Sequence, residues 1–166
     1  MRPNWFVAFR VQASLALGAL PTGVRPFAPE DLHATIAFLG AVDEARARAA
    51  WRATEVVLAP RDVVLGAVIP LGGSALSALV DDAALTNAIR SSRDAIHRAA
   101  GTPIDTRPAL AHVTIARIGR RADRDAAIAW ARTLPRFEAR IDDVALYTWA
   151  EDRDAHFFRI VERRAL

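Results

Sequence analysis

The sequence predicts an α+β fold built on mostly antiparallel sheet with flanking helices. Short apolar runs rich in Val, Ile, Leu and Phe alternate with stretches opened by Asp, and they do so in irregular order rather than as a repeated strand–helix unit. One strand-like segment occurs twice, as His33-Ala34-Thr35-Ile36-Ala37 and as His112-Val113-Thr114-Ile115-Ala116. At 166 residues the chain is long enough to bury a core without staples, and one domain over 1–166 is expected.

Taken in order, Trp5 to Val11 reads as a strand and 12–20 as a short helix, followed by a Pro- and Gly-punctuated loop from Pro21 to Pro29. Leu32 to Leu39 is a strand. Asp43 then caps a helix reaching about Leu58, with Ala45, Ala49, Trp51 and Val56 on its buried side. Strands over 62–69 and 75–80 flank a turn at Pro70-Leu71-Gly72-Gly73-Ser74. That turn rules out a membrane helix across the uncharged run Val63 to Val80. Asp81 or Asp82 opens a long helix that Gly101 closes. A strand at His112 to Ile118, a helix over 123–133 and strands near 136–148 and 155–163 complete the chain.

Composition narrows the chemistry. With no Cys there is no disulfide framework, thiolate nucleophile or sulfur metal site, and a cytoplasmic location is expected. No signal peptide is expected either, because no small-residue cleavage site follows the apolar stretch Val11 to Leu20. All 22 basic residues are Arg and the net charge is only +3, so the pI near 10.7 exaggerates the basic character. Arg does supply planar forks suited to phosphate.

Strand side chains at i and i+2 share a face, so His33 and Thr35 point one way, as do His112 and Thr114, while Ala34, Ile36, Phe38, Val113 and Ile115 form core faces. Two such strands facing each other would supply two imidazoles, with ordinary pKa about 6.5, and two hydroxyls between them. That set suits phosphodiester chemistry without a metal: one imidazole takes a proton from water, the other gives one to the departing oxygen, and the hydroxyls hold phosphate oxygens. Two His lacking a carboxylate on the same strands make a poor metal ligand set, so no metal or cofactor is expected.

The segments His33 to Gly40 and His112 to Arg117 resemble the paired His-x-Thr-x signatures of the two-histidine (2H) phosphoesterases. The similarity is greatest to the RNA 2',3'-cyclic phosphodiesterases, historically called 2'-5' RNA ligases, and extends over nearly the whole chain. It implies two lobes related by a pseudo-two-fold axis, with the active-site cleft between them. It also implies His33 as proton donor, His112 as proton acceptor, and Thr35 and Thr114 as phosphate-binding. Ala111 departs from the Pro that many relatives carry before the second His, and the absence of Lys leaves phosphate contacts to Arg, hydroxyls or backbone.

Other residues take secondary readings. Arg117 matches a frequent Arg of the family and is a possible substrate-binding residue, although alternation points it away from the His face. Arg120, Arg121 and Arg124 read as solvated surface, and His97 as surface on its helix. Tyr147 and Trp149 read as core, with base stacking as the alternative. His156 falls in a late strand that would border the cleft, and Glu30 and Asp31 read as solvated loop acids. The expected partner is RNA or a nucleotide carrying a 2',3'-cyclic phosphate, met by a monomer away from membranes. The alternatives are a different cyclic phosphate or nucleotide, 2'-5' RNA ligation, or a module that only binds RNA or a nucleotide.

Overall fold

Eight strands and three helices are built in the computed structural model, which describes residues 1–166. The strands are β1 (Trp5–Ala13), β2 (Val24–Pro26), β3 (His33–Gly40), β4 (Arg61–Leu71), β5 (Ala75–Val80), β6 (His112–Ile118), β7 (Phe137–Trp149) and β8 (Phe158–Ala165). The helices are α1 (Glu44–Arg52), α2 (Ala83–Ala100) and α3 (Arg124–Arg132). Each opens on an aspartate: the side chains of Asp43, Asp82 and Asp123 accept from the amides of Arg46, Leu85 and Ala126. Gly101 closes α2 at φ 63°, in the left-handed region where it carries no Cβ penalty. No helix is long and apolar enough to cross a membrane.

Every pairing is antiparallel, in the order β2-β6-β5-β4-β7-β1-β3, with β8 on β7. Replacing β1, β3 and β4 by β5, β6 and β7, and the reverse, turns the run β3-β1-β7-β4-β5-β6 into itself read backwards. This is the pseudo-two-fold of the two lobes. Each lobe lends its last strand to the other, so β4 pairs with both β5 and β7. Along one edge of β7, β4 occupies Phe137 to Ile141 and β8 occupies Asp143 to Trp149. The helix-covered face is one apolar cluster that includes Phe9, Leu65, Leu85, Ile96, Ile115 and Ile141. The other face is an open trough with a small cluster of Phe6, Ala8, Ala145 and Tyr147 on its floor. Strands β3 and β6, distant in the path, come back into contact across it.

Several local expectations are corrected. The helix over 12–20 is absent: β1 runs to Ala13, and the half-buried residues that follow are Leu15 and Leu17, an extended two-residue spacing that ends at Gly18. Helix α1 stops at Arg52 and buries Ala47, Ala50 and Trp51. Ala45 is exposed, and Ala49 and Val56 are only half-buried, because the apolar stripe starts later. Within the presumed loop, β2 pairs with β6. His97 is buried on the apolar stripe of α2, with Nδ1 2.8 Å from the Thr102 hydroxyl, and burial pushes its pKa down.

The turn after β6 packs against the turn before β2. Gly23, at φ 80°, would place a Cβ 2.8 Å from that of Ala122. Gly23→Ala should therefore destabilise the protein by about 1–3 kcal/mol through backbone strain and overlap. Chemical denaturation checks this, and an unchanged midpoint would contradict the close packing of the two turns.

Candidate active site

His33 and His112 open their strands in the same way. His33 Nδ1 lies 2.6 Å from the carbonyl of Asp31 and His112 Nδ1 lies 2.9 Å from that of Leu110, in each case two residues upstream. A carbonyl only accepts, so Nδ1 carries the proton and Nε2 is the free nitrogen of the neutral ring. Both rings are half-buried, and the charge of His112 acts on His33 across the trough. Thr35 and Thr114, two residues on, are also half-buried. Thr114 Oγ1 lies 3.0 Å from the buried Ser77 hydroxyl on the neighbouring strand. The position equivalent to Ser77 in the other lobe is Ala8, opposite Thr35.

Matching β-bulges follow. Opposite β1 the register passes from Thr35 to Ala37, and opposite β5 from Thr114 to Ala116, leaving Ile36 and Ile115 as extra residues. A bulge reverses the alternation, so Phe38 and Arg117 swing to the histidine face. This corrects both expectations. Phe38 is 54% exposed rather than core, and Arg117 lies with its guanidinium carbon 5.8 Å from the Phe27 ring centre and 5.7 Å from that of Phe157. Its Nη1 reaches Ser74 Oγ at 3.4 Å. Burial, then the charge of Arg153, lowers its pKa, and its own charge acts on His33.

The two imidazoles differ in their surroundings. His33 sits among Phe6 at 4.6 Å, Phe158 at 5.3 Å, Tyr147 at 5.4 Å and Phe27 at 6.3 Å between ring centres. Loss of water around the ring lowers its pKa to about 4; the Asp31 carbonyl opposes this, while His112 and Arg117 add to it. Tyr147, stacked on Phe6 at 5.0 Å, is fully buried, and desolvation raises its phenol pKa. Base stacking on it is excluded. Trp149 is half-buried with Arg153 over its ring at 4.3 Å.

Asp31 is only 1% exposed, which corrects its reading as a solvated loop acid, whereas Glu30 is exposed. Its two carboxylate oxygens accept from the amides of Phe157 and Phe158, each at 2.9 Å. Phe157 immediately precedes β8 and packs on Phe27, and Phe158 opens β8 and packs on His33. His156 lies in the loop before β8, not in a strand. Arg120 and Arg121 are exposed, and Arg124 donates to the Gly73 carbonyl at 2.5 Å. The geometry thus assembles His33, His112, Thr35, Thr114 and Arg117. Sequence reasoning missed Ser77, Phe27, Phe157 and Phe158 and set Asp31 aside as solvated; the adjacent aromatics at the entry to β8 were the one available signal.

No three His, Asp or Glu side chains converge as a metal-ligand group. A separate concavity of about 730 Å³ is lined by Gln12, Ser14, Asp62, Asp82, Glu138 and Arg140 among others. It has no imidazole, and two of its acids are held in ion pairs, Asp82 by Arg61 and Asp62 by Arg140. The two imidazoles lie in the histidine trough instead.

The family model of the 2'-5' RNA ligase superfamily matches residues 20–153. Among solved structures, one described as a phosphoesterase superposes with a TM-score of 0.72 at 21% identity, covering 100% of this chain and 99% of that one. E. coli LigT complexed with 3'-AMP gives 0.70 at 20% identity, with 99% of each chain covered. E. coli LigT complexed with NADP+ gives 0.67 at 22%, covering 100% of this chain and 99% of that one. At these identities the likeness shows a shared fold. Comparison with curated proteins finds no match.

Asp31→Ala should remove the acceptor from two amides and destabilise the protein by about 1–3 kcal/mol for each donor left buried and unpaired. Asp31→Asn, with one accepting oxygen, should fall between. Denaturation together with hydrogen exchange at Phe157 and Phe158 checks this; unchanged protection would show that the carboxylate does not hold β8.

Proposed function

The chain belongs to the 2'-5' RNA ligase superfamily of 2H phosphoesterases, and we propose that it hydrolyses RNA 2',3'-cyclic phosphate ends to 2'-phosphates by acid–base catalysis between His33 and His112. The observation that carries this reading is the duplicated geometry. Each imidazole is tied through Nδ1 to a carbonyl, each is followed by a threonine on the same face, and the two strands meet across one trough.

In this reading the cyclic phosphate lies between the motifs, with its non-bridging oxygens on the Thr35 and Thr114 hydroxyls. Ser77 orients the second hydroxyl, and Arg117 faces the phosphate charge. His112 Nε2 takes a proton from water as the water oxygen attacks phosphorus. The P–O3' bond opposite breaks, and His33 Nε2–H protonates O3'. The product is a 2'-phosphate with a free 3'-hydroxyl. Solvent then returns a proton to His33 and removes one from His112. Desolvation makes protonated His33 a strong acid, and the bound phosphate anion favours its charged form. Phe38, exposed on the same face, offers a ring to the nucleobase.

Purified protein incubated in chelator with RNA ends and nucleoside 2',3'-cyclic phosphates, with products resolved against 2'- and 3'-phosphate standards, tests the reading. A single 2'-phosphate product is expected. A mixture would contradict fixed acid and base positions, and clean 3'-phosphate would reverse the bond assignment. His33→Ala and His112→Ala should each lower kcat/KM by about 10²- to 10⁴-fold while remaining folded. Thr35→Ala and Thr114→Ala should cost less, about 1.5–3 kcal/mol for one hydrogen bond to a charged group.

The productive state holds one proton across the two imidazoles, and it is lost at low pH when both are charged. Because the His33 pKa is lowered to about 4, the acid limb of kcat/KM should lie near pH 4, and activity should persist at pH 5. The sign for stability follows. Between about 6.5 and 4 the unfolded chain binds the proton that folded His33 refuses, so stability falls as pH drops through that window. An acid limb of kcat/KM at pH 6.5 would show that His33 is not desolvated.

A further inference from the structure

Arg25 and Arg117 are directly opposed on β2 and β6, both half-buried, and Arg153 approaches from the loop before β8. Like charges placed opposite each other on neighbouring strands are unfavourable. No carboxylate relieves this pair: none of the three guanidiniums is in an ion pair, whereas Arg61, Arg107 and Arg140 each hold an aspartate. In the same loop, Asp152 accepts from the amides of Asp154 and Ala155. A row of rings joins the three arginines to the histidine site. Phe27 lies 6.3 Å from His33, Phe157 lies 4.7 Å from Phe27, and the Arg25 guanidinium carbon lies 4.0 Å from Phe157. Arg25 Nη2 donates to the carbonyls of Arg153 and Asp154, which fixes the fork over the ring and leaves Nε and Nη1 as further donors.

We propose that Arg25, with Arg153 beside it, forms a second phosphate subsite that binds the 5'-side phosphate of the nucleotide whose 3' end lies between the histidines. This deepens the function proposed above and rests on it. A nucleoside held by its 2',3'-phosphate has one other point where an RNA chain continues, its 5' oxygen. A guanidinium cluster on the far side of Phe27 and Phe157 answers that charge. The subsite makes oligonucleotide ends, rather than lone mononucleosides, the preferred class of substrate. The fork geometry of Arg suits the paired oxygens of a phosphate.

The test is calorimetric binding of adenosine 3'-phosphate and adenosine 3',5'-bisphosphate to the intact protein and to Arg25→Gln and Arg153→Gln. Gln keeps a donor for the loop carbonyls but carries no charge. The bisphosphate should bind the unaltered protein at least about tenfold more tightly, with a steeper salt dependence. That ratio should fall toward one in Arg25→Gln and partway in Arg153→Gln. Equal affinity of the two ligands for the unaltered protein would overturn the subsite alone. A ratio that survives Arg25→Gln would make Arg25 merely a staple for the loop and would also overturn it. If adenosine 3'-phosphate itself fails to bind, the reading of the histidine site falls, and the subsite with it.

Discussion

Asp31 is the residue on which the rest of the trough depends. Its carbonyl takes the Nδ1 proton of His33, and its carboxylate takes the amides that open β8. One residue near the start of the chain thereby holds the last strand against the first imidazole. Were β8 to loosen, Phe158 would leave the His33 ring and water would reach it. The low pKa of His33, the position of Phe157 and the platform under Arg25 are all downstream of that carboxylate. Burying a carboxylate without an ion-pair partner is unfavourable in general, and here two charge-assisted backbone hydrogen bonds offset it.

The pseudo-two-fold axis makes the two motifs equivalent in backbone and leaves them different in surroundings. Both strands carry an imidazole, a hydroxyl and a bulge at corresponding positions. Beyond the bulge one lobe presents Phe38 and the other Arg117, and beside the hydroxyl one presents Ala8 and the other Ser77. One imidazole is walled by rings, while the other faces the trough without such a wall. Desolvation disfavours the charged form of His33, so its role as the acid in the proposed reaction requires the bound phosphate anion to restore that form. The symmetry supplies the pair of groups, and departures from it make their surroundings unequal.

The amino-acid sequence by itself determined most of the strand and helix order apart from the segment 12–26, the Asp43 cap, the opening of α2 at Asp81 or Asp82, its glycine closure and the histidine–threonine repeats that announce the family. All of these are local: a cap needs a residue and its next turn, and a strand motif needs its own alternation. The two bulges were decided by tertiary structure, because an extra residue is defined only against a partner strand, and Ile36-Ala37 and Ile115-Ala116 read as unbroken alternation on their own. That is why Phe38 was placed in the core and Arg117 turned away from the site. The burial of Asp31 and His97 was equally invisible, since each depends on partners brought by folding: the amides of β8 for one, and for the other the Thr102 hydroxyl just beyond the end of α2. Periodicity reports which residues share a face; which partner stands across from them, and whether water is excluded there, is settled only when distant strands meet.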